Sequence, residues 1–344
     1  ATTLSNQSNI GVNSFGIAVS RPVMRGYMGD RLLLTKDGVE TGDLSQSSID
    51  HVITLDMAEV SEIEIIRGPK SLLYGPNAIG GVINTSMIGN PKVKVQKFHT
   101  KFVMGGETFN KGIYGNVIFY IPMKKNQLNI MINNRKTQNQ TSPIRELDNT
   151  YSRTSNYKLG FTKYNKDSYI NFTIENQNMD YGIPPSTEGH INGVDISLEK
   201  FTFQSNYHRD ISLYTFNQFD IKYNLIDYGH KEFEREDVLG VALNKRMNNV
   251  KIEVQSLHSI IGSELDYKQF SSGGFYLTPN TNELDLSLYG FNETEFSSFN
   301  ILISSRLNYL SINPNQYNYD NIESQQIKNR DFIYFSSSLG FNKI

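Results

Sequence analysis

The stretch of sequence that decides the fold spans residues 21–84. It opens with RPVMRGYMGDRLLLTKDGVETGDLSQSSIDH (residues 21–51) and closes with VSEIEIIRGPKSLLYGPNAIGGVIN (residues 60–84). The Asp37-Gly38 pair marks a tight turn after a short apolar run, because this pair adopts positive φ at low cost. Residues 62–66 alternate between apolar and polar side chains, as in a half-buried strand, and a Gly-Pro break follows them. These local signals predict a small α+β unit with glycine-rich turns.

The ordered motifs of this stretch resemble the second half of the plug domain of TonB-dependent outer-membrane receptors. The pieces VMRG, DGVETGD, DH, IEIIRGPKSLLYG and NAIGGVIN follow one another in the order and spacing of that family. Within the family, GDLSQSSIDHVITLD and IEIIRGPKSLLYG are most similar to the TonB-dependent zinc receptors. The resemblance implies an α+β plug domain inside an antiparallel transmembrane β-barrel of about 22 strands when complete. Such receptors import a scarce ligand with energy passed on by TonB.

Two domains are expected, a partial plug domain at residues 1–90 and a partial β-barrel at residues 91–344. The boundary is placed at residues 87–91, where Gly, Asn and Pro interrupt the pattern. The resemblance also implies that the chain is a piece of a longer receptor, without the TonB-contacting segment, the first half of the plug and the last strands. A smaller natural barrel of about 12 strands is the alternative.

Composition argues against several classes of function. The net charge is −2 and the basic residues are scattered, so a nucleic-acid partner is not expected. There is no cysteine, which excludes both a disulfide framework and a cysteine-based zinc site. No GxSxG, P-loop or HExxH motif occurs, so neither an enzyme nor a catalytic cofactor is predicted.

After about residue 95, apolar and polar side chains alternate with a period of two, as on β-strands. We expect about a dozen strands there, with long ones at residues 211–226 and 299–312. A soluble sheet would pack its apolar face inward, whereas a membrane barrel turns that face to lipid. The long strands, together with 20 Tyr and 20 Phe, favour the barrel. Ile221, Val254 and Leu286 are therefore expected to face lipid.

The Asp50-His51 pair is the first candidate metal site, because zinc accepts carboxylate oxygen and imidazole nitrogen. Neighbouring residues of a strand point to opposite faces, so the pair can share one ion only on a curved loop, which residues 41–48 can provide. A solvated loop with a lone histidine is the ordinary interpretation of such a pair. The resemblance favours the metal site, since the pair matches the plug ligands of the zinc receptors.

The second candidate is the segment DYGHKE at residues 227–232. A similar Asp-Tyr-x-His-x-Glu segment of the zinc receptors carries a carboxylate ligand on the barrel, and that role corresponds to Glu232. His230 lies two residues away, on the same face of a continuing strand, and is expected to assist. The alternative is the charged start of an ordinary extracellular loop.

The remaining histidines and motif charges have weaker patterns. His190 follows a Tyr-Gly-Ile-Pro segment that resembles the start of a histidine-rich loop in the zinc receptors, but the loop is nearly absent here, so His190 is only a possible ligand. The resemblance places further ligands beyond the last residue of this sequence. The structural residues are expected to be His99, His208 and His258, and the groups that dock the plug to the wall are expected to be Arg25, Glu64 and Arg67.

The resemblance thus implies a TonB-dependent transporter in the outer membrane of a Gram-negative bacterium. Its expected partners are TonB, outer-membrane lipid and a metal ion or metal chelate. Zinc is the first expectation for the transported ligand, bound between the plug apex at Asp50-His51 and the barrel wall near Glu232. A receptor for an iron-siderophore or haem is one alternative, and a soluble all-β binding module is another.

Overall fold

The computed structural model describes residues 4, 6–14, 18–48, 50–87, 92–186, 191–234, 238–274, 278–315 and 327–343. We call the described residues up to Met87 the N-terminal unit. Its strands are β1 (Ile10–Ser14), β2 (Ser20–Met24), β3 (Leu33–Lys36), β4 (Val39–Glu40), β5 (Val60–Ile66) and β6 (Val82–Met87). Its 3-10 helices are Gly29–Arg31, Met57–Glu59 and Pro69–Leu73.

A four-stranded mixed sheet with the order β4-β3-β6-β5 organises the N-terminal unit. The Asp37-Gly38 turn joins β3 to β4 with φ values of 52° and 86°, as the sequence predicts. Strands β3 and β6 pair in parallel, and β1 and β2 form a separate hairpin. Among the described residues the helices are all short 3-10 turns, so the α part of the expected α+β unit is not observed.

Fourteen further strands follow the N-terminal unit. They are β7 (His99–Glu107), β8 (Gly112–Pro122), β9 (Asn126–Thr137), β10 (Gln140–Thr141), β11 (Glu146–Leu147), β12 (Ser152–Tyr164), β13 (Ser168–Ile183), β14 (Val194–Leu213), β15 (Phe216–Glu234), β16 (Val238–Gln255), β17 (Ser259–Gly274), β18 (Thr281–Glu295), β19 (Phe299–Pro314) and β20 (Arg330–Lys343). All except the small β10–β11 pair join one twelve-stranded antiparallel sheet, which we call the wall. The count agrees with the dozen strands expected from the sequence. The sheet is open within the described residues, with β7 and β20 at its edges.

Of the two long strands expected from the sequence, one is wrong and one is confirmed. The long strand expected at residues 211–226 is wrong, because a tight turn at Tyr214 separates β14 from β15. Tyr214 itself takes the positive φ of 51° there. The residue at the turn is therefore not a Gly, Pro or Asn, the types that usually mark a turn in the sequence. The long strand expected at residues 299–312 is confirmed as part of β19. The expected domain boundary falls partly on residues 88–91, which lie outside the described residues.

The wall has an apolar exposed face and a polar buried face. Ile252 is 41% exposed and Leu286 is 39% exposed, while Ile221 and Val254 are partly exposed. Between them along the strands, polar side chains such as Asn249 are buried on the opposite face. This arrangement is the inverse of a soluble sheet, in which the apolar face is the covered one. Among the described residues, no helix combines the length and hydropathy needed to cross a membrane.

The buried polar face of the wall packs around the N-terminal unit. Contacts are spread from β9 to β19, so the sheet curves around the unit: Asn133 of β9 with Glu59, Lys200 of β14 with Thr41, and Ser304 of β19 with Pro69. Lys36 and Glu40 of the unit form ion pairs with three charged residues of the wall, Glu175, Lys245 and Lys268. Glu59 of the unit lies near Glu175, and their like charges repel. We call these six side chains the charged seam.

The charged residues that the sequence predicts to dock the unit to the wall, Arg25, Glu64 and Arg67, do not belong to the charged seam. Arg67 donates to the carbonyl of Ser8, and Glu64 lies 4.0 Å from Lys70, so these contacts stay within the N-terminal unit. Arg25 is exposed. The docking role predicted for these motif charges is therefore not observed, and the charged seam takes that place.

Candidate metal centre

The site begins with a loop, described at residues 41–48 and 50–56, that lies between β4 and the 3-10 helix Met57–Glu59. Gly42 sits against the wall with a φ of 73°, and a Cβ there would lie 2.6 Å from Ile226 Cδ1 of β15. Only glycine combines this backbone conformation with so close an approach. The sequence motif Thr-Gly-Asp therefore fixes how the loop meets the wall.

The buried Asp43 carboxylate ties the two ends of this loop together. One oxygen accepts from the backbone N–H of Ser45 at 3.1 Å and from its hydroxyl at 2.6 Å, and the other accepts from Thr54 N–H at 2.9 Å. Lys200 of the wall donates to Thr41 O at 2.5 Å and to Thr54 Oγ1 at 2.7 Å. Burial raises the pKa of Asp43, but the Lys200 charge and these hydrogen bonds lower it further, so the pKa of Asp43 lies below its ordinary value.

The loop carries His51, which is only 5% exposed. Its Nδ1 lies 3.1 Å from the carbonyl oxygen of Leu44, so Nδ1 carries the proton and donates it. Its Nε2 points to the wall and lies 3.4 Å from Glu232 Oε1. The backbone carbonyl of His51 accepts from Arg21 Nη2 at 2.9 Å.

Strand β15 supplies the wall side of the site. Tyr228, His230 and Glu232 alternate along the strand and are all buried on its inner face, as the period of two requires. His230 is 0% exposed and its Nε2 lies 3.0 Å from Glu232 Oε1. Its Nδ1 lies 3.2 Å from the hydroxyl of Tyr228. The pairing of β15 with β16 shifts register between Glu232 and Phe233, directly after the site.

Both imidazoles thus direct Nε2 at one carboxylate oxygen while a second group holds Nδ1. The ligand atoms of His51, His230 and Glu232 lie within 4.8 Å of one another, and the two rings are 4.4 Å apart. Histidines that ligate metals almost always have the other ring nitrogen fixed in this way by a carbonyl or a similar group. The arrangement therefore offers two nitrogen ligands and one carboxylate ligand to a single ion.

Electrostatics favour a positive charge at this point. Burial lowers the pKa of His51, but the hydrogen bond to Glu232 and the nearby Asp50 charge raise it more, so the pKa of His51 lies above its ordinary value. The Glu232 carboxylate therefore favours a positive charge beside it, either a proton on the His51 ring or a bound cation. A metal ion would replace that proton, since imidazole binds metals in its deprotonated form.

Apolar side chains lie next to the three ligands along the chain and across the strand pairing. Val19, Leu44 and Val52 of the N-terminal unit pack with residues of β13 to β16. The wall members are Met179, Tyr181, Ile183, Val194, Ile196, Leu198, Tyr228 and Leu243. We call this cluster the apolar collar. Charges and dipoles interact more strongly in such surroundings than in water.

The residues predicted from the sequence are only partly brought together. His51, His230 and Glu232 form the site described above. Asp50 lies outside the group of converging ligand atoms, and its carboxylate accepts from the Ser48 hydroxyl instead. His190 lies outside the described residues. The ligand roles of Asp50 and His190 stay predictions.

The sequence interpretation missed the groups that hold Nδ1 of each histidine. Tyr228 could have been found, because it precedes His230 by two residues on an alternating strand. The carbonyl of Leu44 could not, because a backbone group seven residues away in a loop leaves no sequence signal. The histidines predicted to be structural have other partners: His99 stacks on Tyr120, His208 bonds Asp220, and His258 lies 3.8 Å from Glu295.

Comparison with known proteins adds a family match at the N-terminus. Residues 1–82 match the family model of the TonB-dependent receptor plug domain. The hemin receptor of Yersinia pestis is 48% identical over 65 residues, which cover 18% of this chain and 9% of the relative. The hemin receptor of Yersinia enterocolitica is 42% identical over 65 residues, with the same coverage. The chain therefore spans a small part of the curated relatives it matches.

Solved structures share the fold over almost the whole chain. The copper transporter OprC superposes with a TM-score of 0.83 at 12% identity, covering 99% of this chain and 57% of that protein. The FrpB iron transporter from Neisseria meningitidis superposes with a TM-score of 0.74 at 11% identity, covering 99% and 59%. At such low identity, the likeness concerns the fold alone. The comparisons thus show a plug-domain match for residues 1–82 and a fold shared with these two transporters over almost the whole chain.

Proposed function

We propose that this chain is part of an outer-membrane transporter that imports a metal ion, with zinc as the first choice, and that the ion binds to His51, His230 and Glu232. The observation that carries the proposal is the convergence of two Nε2 atoms on one carboxylate oxygen, 3.4 Å and 3.0 Å away. The predicted ligand Asp50 could join them after a local rearrangement of the loop.

The donor set narrows the class of ion. Two imidazoles and one carboxylate are a known zinc set that leaves a fourth position open for water. The chain has no cysteine, so thiolate ligands that would favour copper(I) are absent. The same donors also suit iron(II), which two histidines and a carboxylate hold in many proteins. Zinc is preferred here because of the resemblance of the loop and strand motifs to the zinc receptors.

The division of the ligands between two parts of the molecule suggests how an ion would be released. His51 belongs to the N-terminal unit, whereas His230 and Glu232 belong to the wall. Any movement of the unit relative to the wall separates the ligands and weakens the coordination. We propose TonB as the partner that drives this movement, and outer-membrane lipid as the surroundings of the exposed apolar face of the wall.

Haem is the second candidate, favoured by the similarity to two hemin receptors. A haem group could use one of the same histidines as its iron ligand. However, His51, His230 and Glu232 are each at most 7% exposed, and a porphyrin needs far more open space than a bare ion. The geometry therefore favours the ion.

The test is metal binding by the purified protein in detergent. Zinc, iron(II) and hemin are each titrated against a chromophoric competitor, for the wild type and for His51→Ala. We expect zinc to bind most tightly and the substitution to weaken it at least about tenfold. His99→Ala is the matched control, since His99 stacks on Tyr120 away from the site. Unchanged zinc affinity in His51→Ala would refute the assignment, and tight hemin binding without zinc binding would favour the second candidate.

A further inference from the structure

Tyr181 stands at the end of β13 in the Tyr-Gly-Ile-Pro segment, to which the proposed site assigns no role. It is fully buried in the apolar collar. Its phenol crosses from the wall to the N-terminal unit, so the side chain joins the two parts that share the proposed metal site.

The hydroxyl of Tyr181 bonds the backbone on both sides of His51. It accepts from the N–H of Val52 at 3.3 Å and donates to the carbonyl of Asp50 at 3.3 Å. A phenol offers one proton and its lone pairs, and here both capacities are used. The two bonds therefore fix the peptide groups that precede and follow His51.

The position of Tyr181 in the wall also relates it to the other ligands. Tyr181 pairs with Ile196 of β14, and Ile196 pairs with Glu232 of β15. Tyr181 and Glu232 thus lie in the same row of the sheet, two strands apart, or roughly 9–10 Å. The row sets a fixed distance between the point where the loop is held and the carboxylate that His51 must reach.

Packing of the ring alone does not account for this arrangement. A phenylalanine would fill the same space in the apolar collar, because Tyr181 differs from it only by the hydroxyl. The hydroxyl is the part that meets the loop, and a buried hydroxyl without partners would be unfavourable. Both of its partners belong to the backbone that carries His51.

We propose that Tyr181 is a positioning residue that holds the backbone of His51 against the wall, so that the imidazole reaches the ion shared with His230 and Glu232. The inference rests on the proposed function. Tyr181 does not touch the ion and acts through His51. The Tyr-Gly-Ile-Pro segment then serves the site from a different strand than the ligands do.

The test compares Tyr181→Phe with the wild type in two measurements on the purified protein in detergent. Zinc affinity is expected to fall about tenfold or more, as for other groups that orient metal ligands. Hydrogen exchange of the Val52 amide is expected to become faster, because that N–H loses its acceptor. Tyr289→Phe is the control, since Tyr289 is also a buried wall tyrosine but donates to Glu253. It should leave both measurements unchanged.

A double-mutant cycle separates positioning from general damage. In the His51→Ala background, Tyr181→Phe should cause no further loss of zinc affinity, because the group it positions is gone. An equal, additive loss in that background, or wild-type zinc affinity in Tyr181→Phe, would overturn the proposal. If the wild type binds no zinc, the proposed function fails. The contact between Tyr181 and the loop is tested separately, since an unchanged exchange rate of the Val52 amide in Tyr181→Phe would refute it.

Discussion

The apolar collar and the charged seam are two parts of one interface, and β13 passes through both. Along its inner face, Glu175 of the seam gives way to Met179 of the collar within four residues. In the seam, Lys36 meets Glu175 at 2.6 Å and Glu40 accepts from both Lys245 and Lys268 at 2.9 Å. The collar consists of hydrophobic side chains, and the ligand atoms of His51, His230 and Glu232 converge beside it.

The difference indicates that the two parts of the interface have different roles. Paired charges contribute little net stability, but they specify how two surfaces dock and are penalised when one partner is lost. Apolar surroundings instead strengthen the coordination of an ion by charged and dipolar ligands. We infer that the seam sets the position of the N-terminal unit and that the collar provides the medium for binding.

The largest expected effect is a loss of folding stability when the seam loses a charge. In Lys36→Met, the buried Glu175 carboxylate loses the cation that is hydrogen-bonded to it, and the free energy of unfolding should fall by about 3 kcal/mol. Thermal unfolding in detergent measures the change. Lys222→Met is the control, since Lys222 donates to the carbonyl of Asp37, and its effect should be smaller. Equal unfolding midpoints for wild type and Lys36→Met would contradict the role of the seam.

Next in size is the loss of the carboxylate shared by both histidines. Glu232→Gln keeps the shape of the side chain but removes the negative charge, so zinc affinity should fall about a hundredfold, or about 2.7 kcal/mol. Competition titration measures it. Glu253→Gln, on the neighbouring strand β16 but away from the site, should bind zinc as the wild type does. Equal zinc affinities in Glu232→Gln and Glu253→Gln would contradict the role of Glu232 as a ligand.

A polar side chain introduced into the collar should lower zinc affinity moderately. Leu198 lies opposite His230 in the pairing of β14 with β15 and is fully buried. Leu198→Asn admits a competing dipole, and we expect zinc affinity to fall about tenfold. Leu198→Met keeps the volume and the apolar character, so it should retain the affinity. Equal affinities in the two variants would show that the collar is irrelevant to binding.

The smallest effect concerns the pH response of the seam. Burial and the Glu175 charge raise the pKa of Glu59 to about 7. The stability contributed by neutral Glu59 is therefore present at low pH and lost as pH rises from its unfolded pKa through 7. Glu59→Gln lacks this loss, so its stability relative to the wild type should rise by about 1 kcal/mol between pH 6 and pH 7. A difference that stays constant or falls over this range would exclude titration of Glu59.

Much of the fold could be predicted from the sequence because the signals that specify it are local. Alternation predicts the wall and its exposed apolar face at Ile252 and Leu286, and Asp37-Gly38 predicts its turn. The turn at Tyr214 was missed because its positive φ falls on a residue that does not favour it.

The site could be predicted only in part, because some of its contacts join residues that are far apart in the sequence. The strand spacing brings His230 and Glu232 to one face, and the resemblance points to His51. The direction of Asp50, the carbonyl of Leu44 and the reach of Tyr181 over 131 residues depend on how the loop folds against the wall. The seam pair Lys36 and Glu175, 139 residues apart, likewise depends on the curvature of the sheet.

The most direct test of the central claim is anomalous X-ray scattering at the zinc edge from crystals of the zinc-loaded protein. We predict one strong peak between the N-terminal unit and the wall, about 2.0–2.2 Å from Nε2 of His51, Nε2 of His230 and a carboxylate oxygen of Glu232. A zinc-loaded protein with no peak at this point, or with its peak at other histidines, would contradict the account.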